Sequence, residues 1–320
     1  MAEQATPHPR AQRGLPASSA EANTPVRAGF YALFGHGHGV APLRQLHALR
    51  DRLPPDTPVV QWRLCGRPLA CLGRAGLTEF LFRLAEALPC PQGLGERWLD
   101  LTAGEVDLGV AALLRGLGFG RLRIAPEPGD PAALARALAA VREVGIAGGV
   151  ILHLPALHLA STADKPCEDW FADLRVEGVD LDAPLTPRDL DRLAALARRG
   201  FAPLAGDALR RADHPDFALL RAGRLARGPW GFHERTVSCW VALGPDGDAL
   251  PAPSDPLFAL LCRLARGAWV PLPRSLTLAW QEAGFGRASG NGVRLTAAGR
   301  AALPSLALAL CHTRLAGPAL

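Results

Sequence analysis

The residues best suited to chemistry lie in one short stretch, Phe30-Tyr31-Ala32-Leu33-Phe34-Gly35-His36-Gly37-His38-Gly39-Val40. His36 and His38 present two imidazoles on a glycine-rich loop, and His47 follows on the amphipathic run from about Leu43 to Leu53. Imidazoles so placed can hold a divalent metal, and a single one is enough as an axial ligand to haem. A metal would need further ligands from later strand ends, for which His153 and Asp207 are the candidates. The competing reading is a polar glycine loop that binds nothing. Serine-nucleophile chemistry has no support, because no G-x-S-x-G turn occurs.

The seven cysteines are scattered and odd in number, which suits free thiols in a reducing cytoplasm rather than a disulfide framework. Cys65 and Cys71 have no second pair at metal-ligand spacing, which argues against zinc. The net charge of +5 comes almost entirely from arginine, with Lys165 the one lysine, and no basic block marks a nucleic-acid face. The arginine pairs Arg198-Arg199 and Arg210-Arg211 read as solvated helix ends. A chain of 320 residues, 49% hydrophobic and 20% charged, has material for one large domain and a smaller one. Residues 1–25 read as a disordered tail without the apolar segment of a signal peptide. The longest apolar run, Gly145 to Ala160, is broken by His153, Pro155 and His158, so no membrane span is expected.

The elements that must position these groups follow an alternating rhythm. Strand, glycine loop and helix at the start put a ligand at the carboxyl end of the first strand. Further strands are expected at Pro58–Trp62, Arg97–Leu101, Arg121–Ala125 and Gly149–His153, a weaker one near Leu174–Val176, and Phe201–Leu204 closes the series. Helices lie between them around Leu77–Leu84, Glu105–Leu117, Pro131–Val144 and after Thr186-Pro187-Arg188-Asp189. Six β/α units are too few for an eight-fold barrel, so the expected fold is α/β, an open partial (β/α)6 barrel over residues 26–213. Helices at Asp216–Leu225, Asp255–Arg266 and Ser275–Ala283, a hairpin at Gly290-Asn291-Gly292 and a helix capped by Thr296 predict a winged-helix-like domain over 214–320. The seven tryptophans are expected in the core or at a domain interface.

Three segments resemble the oxygen-independent coproporphyrinogen III oxidases of the radical S-adenosylmethionine (SAM) superfamily. They are Leu99-Asp100-Leu101-Thr102 with Leu113-Leu114-Arg115-Gly116-Leu117-Gly118-Phe119-Gly120-Arg121-Leu122, then Ala205-Gly206-Asp207 through Gly231-Phe232, then Val293-Arg294-Leu295-Thr296-Ala297-Ala298-Gly299-Arg300. The resemblance implies a partial barrel, and a SAM site formed here by Tyr31, Gly66, Asp100 and Glu127. Asp100 stands for the family's ribose-binding glutamate, and Glu127 stands where the family has a glutamine. The departures are as specific. The family's three cluster cysteines fall on Gly37, Ala41 and Arg44, its fifth-strand aspartate on Gly149, and the segment with its SAM-binding arginine is shortened near Asp130. No other cysteine triplet has the C-x3-C-x2-C spacing.

The resemblance therefore implies an absent iron–sulfur cluster and leaves SAM binding in doubt. The expected function is a cytoplasmic, non-catalytic paralogue in haem metabolism, binding a tetrapyrrole (haem or porphyrin) or a haem-pathway protein, with no nucleic acid. Two enzymatic alternatives stand beside it: oxygen-independent coproporphyrinogen III dehydrogenase, and a metalloenzyme built on His36 and His38.

Overall fold

Alternation with a period of two governs the first strands. In β1 (Arg27–Phe34), Phe30, Ala32 and Phe34 join the main apolar core, while Tyr31 and Leu33 join Cys65 in a separate small cluster. Trp62 and Leu64 in β2 (Val59–Gly66) likewise oppose Arg63 and Cys65. β3 (Glu96–Thr102), β4 (Arg121–Ala125), β5 (Val150–Leu154) and β6 (Gly178–Leu181) repeat the pattern. Leu99, Leu122, Leu152 and Val179 are in the core, and Asp100, Arg123, His153 and Asp180 stand on the other face. One face of the sheet is thus apolar and packed under helices, and the other is polar. The computed structural model describes residues 27–34, 46, 48–91, 96–128, 130–146, 149–155, 171, 175–182, 185, 189–228, 231–243, 256–289, 292–303, 306 and 310.

The helices cover the apolar face. α1 (Pro68–Ala87) starts with proline at its first turn, bends at Gly73, and buries Leu77, Phe80, Leu81 and Leu84. α2 (Leu108–Gly116) is capped by Asp107, which accepts from the Val110 amide at 2.8 Å. α3 (Pro131–Glu143) is capped by Asp130, which accepts from the Ala133 amide at 2.9 Å. The helix expected from Glu105 is preceded by a 3-10 turn at Ala103–Glu105. α4 (Leu190–Arg198) buries Leu193 and Leu196 on one stripe.

The nine-stranded sheet has the order β11-β1-β2-β3-β4-β5-β6-β8-β7, with β7 at Phe201–Ala205, β8 at Ala208–Arg211 and β11 at Val237–Leu243. From β11 to β6 every pairing is parallel; β8 runs antiparallel to both β6 and β7. This is the expected α/β class, a large parallel sheet of the partial-barrel kind.

Four expectations are corrected. The sixth strand lies at Gly178–Leu181 rather than Leu174–Val176, because the chain turns at Arg175 (φ 48) before pairing begins. Phe201–Leu204 does not extend the parallel series; the Gly206-Asp207 turn folds it into a hairpin whose return strand β8 takes the place beside β6. Arg210-Arg211 is therefore on a strand, not at a helix end, and Arg210 is only 2% exposed. Trp269 is 45% exposed, whereas Trp62, Trp98 and Trp280 are buried; the side chains of Trp170, Trp230 and Trp240 lie outside the described residues.

Beyond residue 213 the helix α5 (Pro215–Arg221) stops before the expected Leu225, and Gly223 with φ +69 turns the chain into a hairpin of β9 (Leu225–Gly228) and β10 (Gly231–Glu234). β11 then pairs in parallel with β1. The remaining elements have the winged-helix order α6 (Pro256–Ala265), β12 (Val270–Pro271), α7 (Arg274–Glu282), β13 (Gly286–Ser289), β14 (Gly292–Leu295) and α8 (Ala297–Ala301). Thr296 caps α8, its Oγ1 accepting from the Gly299 amide at 3.1 Å. No helix among the described residues is long and apolar enough to cross a membrane.

Candidate functional site

The polar face carries its charges at alternate positions near the carboxyl ends of the strands. Asp100 on β3 accepts three hydrogen bonds from two partners. Arg123 on β4 donates from Nε to Oδ1 at 2.8 Å and from Nη2 to Oδ2, and the Gly66 amide donates to Oδ2 at 3.2 Å. A two-pronged guanidinium–carboxylate contact fixes both partners in orientation as well as charge. Burial works against the charge on Arg123, but pairing with Asp100 outweighs it and raises its pKa.

From this pair an ion ladder crosses the sheet. Arg123 Nη1 reaches Asp180 Oδ2 at 3.9 Å, spanning from β4 to β6 across β5. Arg210 Nη1 on β8 forms an ion pair with Asp180 Oδ1 at 2.7 Å, and its Nε donates to Asp216 Oδ2 at 3.3 Å at the start of α5. Burial disfavours the Asp180 carboxylate, yet Arg210 and then Arg123 hold its pKa below the ordinary value. Gly178 leaves the room that Arg210 fills, since a Cβ there would come within 2.7 Å of the Arg210 side chain.

Tyr31 and Cys65 sit beside Asp100. The Tyr31 hydroxyl donates to the Cys65 sulfur; burial raises the Tyr31 pKa and pushes the Cys65 thiol up to about 12, with Asp100 adding to both shifts. Cys65 is thus a protonated thiol at neutral pH. Gly66 has φ +86, and a Cβ on it would stand 2.1 Å from the Phe34 carbonyl oxygen. The close approach of β1 and β2 therefore demands glycine here whether or not a ligand is bound.

Of the residues singled out in the sequence, Tyr31, Gly66 and Asp100 converge. Glu127 lies just after β4, where a Cβ on Gly104 would meet its Oε1 at 3.1 Å. Gly149 has φ +80 and would bring a Cβ to 2.4 Å from Glu177, so an aspartate has no room there. Asp130 is the cap of α3. His153 and Asp207 have other partners: His153 Nε2 lies 2.6 Å from Asp182 Oδ1, and Arg227 donates to Asp207 Oδ2. Among the described residues no group of three His, Cys, Asp or Glu side chains gathers as metal ligands. His36, His38 and His47, with Gly37, Ala41 and Arg44, lie outside the described residues. Arg123, Asp180 and Arg210 were not foreseen: Arg123 and Asp180 stand between apolar residues of their strands, Leu122 and Ile124, Val179 and Leu181, and Arg210 belongs to a pair that reads as a helix end.

This arrangement, a mostly parallel sheet with helices on its apolar face followed by a winged-helix-like segment, is shared with a solved structure. The solved structure described as "Coproporphyrinogen III oxidase (HemN) from Escherichia coli is a Radical SAM enzyme" is similar to this chain with a TM-score of 0.55 over 92% of each chain, at 17% identity. At that identity the likeness establishes the fold. No protein-family model and no curated sequence matches.

Proposed function

We propose that this chain is a non-catalytic protein of the coproporphyrinogen-oxidase type, which keeps the frame and uses it to bind a tetrapyrrole or a partner protein of haem metabolism. The observation that carries this reading is the occupied state of Asp100. The carboxylate that the resemblance assigns to the SAM ribose has both oxygens held by Arg123 and a third contact from Gly66. A ribose hydroxyl would find one remaining lone pair, on Oδ1, of a carboxylate whose charge Arg123 already balances. The donor set points the same way. Gly37, Ala41 and Arg44 supply no thiolate for a cluster, and Cys65 beside the site is held as a thiol, so these residues do not fit an iron–sulfur cluster.

For a haem, one imidazole is sufficient as axial ligand. His153 at the end of β5, its Nε2 against Asp182, has the carboxylate-oriented arrangement common in metal-bound histidines, and His36 and His38 are the other candidates. Titration of the full chain with haem and, separately, with SAM tests the proposal. A Soret shift lost in His153→Ala or in His36→Ala/His38→Ala is expected with haem, and no heat with SAM. Anaerobic reconstitution with iron and sulfide that yields a cluster of about four irons per chain would overturn it.

A further inference from the structure

The positive charge of the chain is concentrated near its end. Residues 256–303 hold Arg263, Arg266, Arg274, Arg287, Arg294 and Arg300 against a single carboxylate, Glu282. Along the sequence these arginines are too far apart to make a basic block, which is why no nucleic-acid face is expected from it. Strand pairing brings several of them together. Among the described residues none of the six has an ion-pair partner.

They gather on the outer face of the small sheet β12-β14-β13. Val270 pairs with Val293, both buried, so the register sets Trp269, one residue before β12, opposite Arg294. Arg294 in turn pairs with Arg287 on β13. Trp269, Arg294 and Arg287 thus form one exposed row across the sheet, about 10 Å from end to end at the usual strand spacing. Two more guanidinium groups close on this row. A Cβ on Gly267 would stand 3.7 Å from Arg294 Nε and 4.0 Å from Arg300 Nη1. Arg263 Nη2 donates to the Trp269 carbonyl at 3.2 Å. Like charges directly opposite each other in a sheet are destabilising, so Arg287 against Arg294 is an arrangement that an anion relieves. Beside them the Trp269 ring is left 45% exposed.

We infer that this face binds single-stranded nucleic acid, with an unpaired base stacked on Trp269 and backbone phosphates on Arg287, Arg294 and Arg300. An aromatic ring beside a row of cations holds a base and its neighbouring phosphates together, and tolerates any sequence because every base has a flat face. A duplex offers phosphates but no free base face. An acidic peptide satisfies the arginines and leaves Trp269 unused. Helix α7 exposes Leu278 and Glu282, which do not suit insertion into a groove. This surface is separate from Asp100 and does not depend on the function proposed for that site.

Fluorescence anisotropy of the full chain with a labelled oligothymidylate of about twelve nucleotides tests the assignment. The controls are the same strand annealed to its complement and an oligoglutamate of equal length. The single strand binds best, and raising the salt from about 50 to 200 mM weakens it roughly twentyfold, as three phosphate contacts require. Trp269→Ala weakens binding about tenfold or more with the salt dependence kept, whereas Trp269→Phe retains most of the affinity. Arg287→Gln/Arg294→Gln reduces the salt effect to roughly threefold, with the melting temperature unchanged or raised. The phenylalanine and glutamine variants keep the test open if Trp269→Ala does not fold. No binding of the single strand at micromolar concentration overturns the inference. So does equal affinity for the duplex or for oligoglutamate, or a folded Trp269→Ala that binds as well as the parent.

Discussion

At the scale of single residues, Arg123 has the most to lose. Its removal leaves Asp100 with only the Gly66 amide and deprives Asp180 of one of two cations. Arg123→Ala should cost about 3 kcal/mol in urea unfolding, whereas Asp100→Ala/Arg123→Ala, which removes both charges, should cost on the order of 1 kcal/mol. Cys65 offers a separate test: with its thiol pushed up to about 12 by burial, iodoacetamide at pH 8 should leave it unlabelled until the chain is unfolded, as read by mass spectrometry. Asp100, Tyr31 and Gly66 could be picked out from the chain because motif spacing carries that information. The partner of Asp100 could not, since only strand register brings Arg123 opposite it. Arg210 was misread for a similar cause: a pair of arginines looks solvated until a hairpin carries one of them indoors.

At the scale of elements, the turn after β2 is held by sterics. Gly66→Ala places a methyl group against the Phe34 carbonyl in a left-handed conformation, and should destabilise the chain by about 2–4 kcal/mol in chemical denaturation. Elements of the βα series were legible because periodicity changes from two to 3.6 along them and proline or aspartate marks the helix starts. The strands from β8 to β11 were not. β9 and β10 are four residues each, too short to show a period, and their pairing rests on glycine turns and on arginine contacts to Phe232. β11 lies in a stretch for which the sequence suggested no element, and its pairing with β1 makes it part of the sheet.

At the scale of the molecule, two buried imidazoles set a pH limit. His214 and His233 have pKa values lowered from 6.5 to about 4, chiefly by burial. Above pH 6.5 both are neutral in the folded and unfolded states and cost nothing. Between 6.5 and 4 the unfolded chain takes up protons that the folded chain refuses, so stability falls with falling pH, by on the order of 3 kcal/mol for each group. Urea midpoints measured from pH 7 to 4.5 should decline accordingly, and replacing His233 with Gln should flatten part of the slope.

The strand β11 beside β1 has a consequence for the order in which the chain matures. β1 is synthesised first, but its outer neighbour starts some 210 residues further on, with Arg27 opposite Val237. During translation the leading edge of the sheet stays unpaired while most of the polypeptide emerges, and long-range closure of this kind is slow and prone to association. A fragment ending at residue 213 should therefore aggregate rather than fold, whereas adding back residues 214–243 should restore a monodisperse species in size-exclusion chromatography. Nascent chains arrested between these lengths are the form of this protein most dependent on a chaperone.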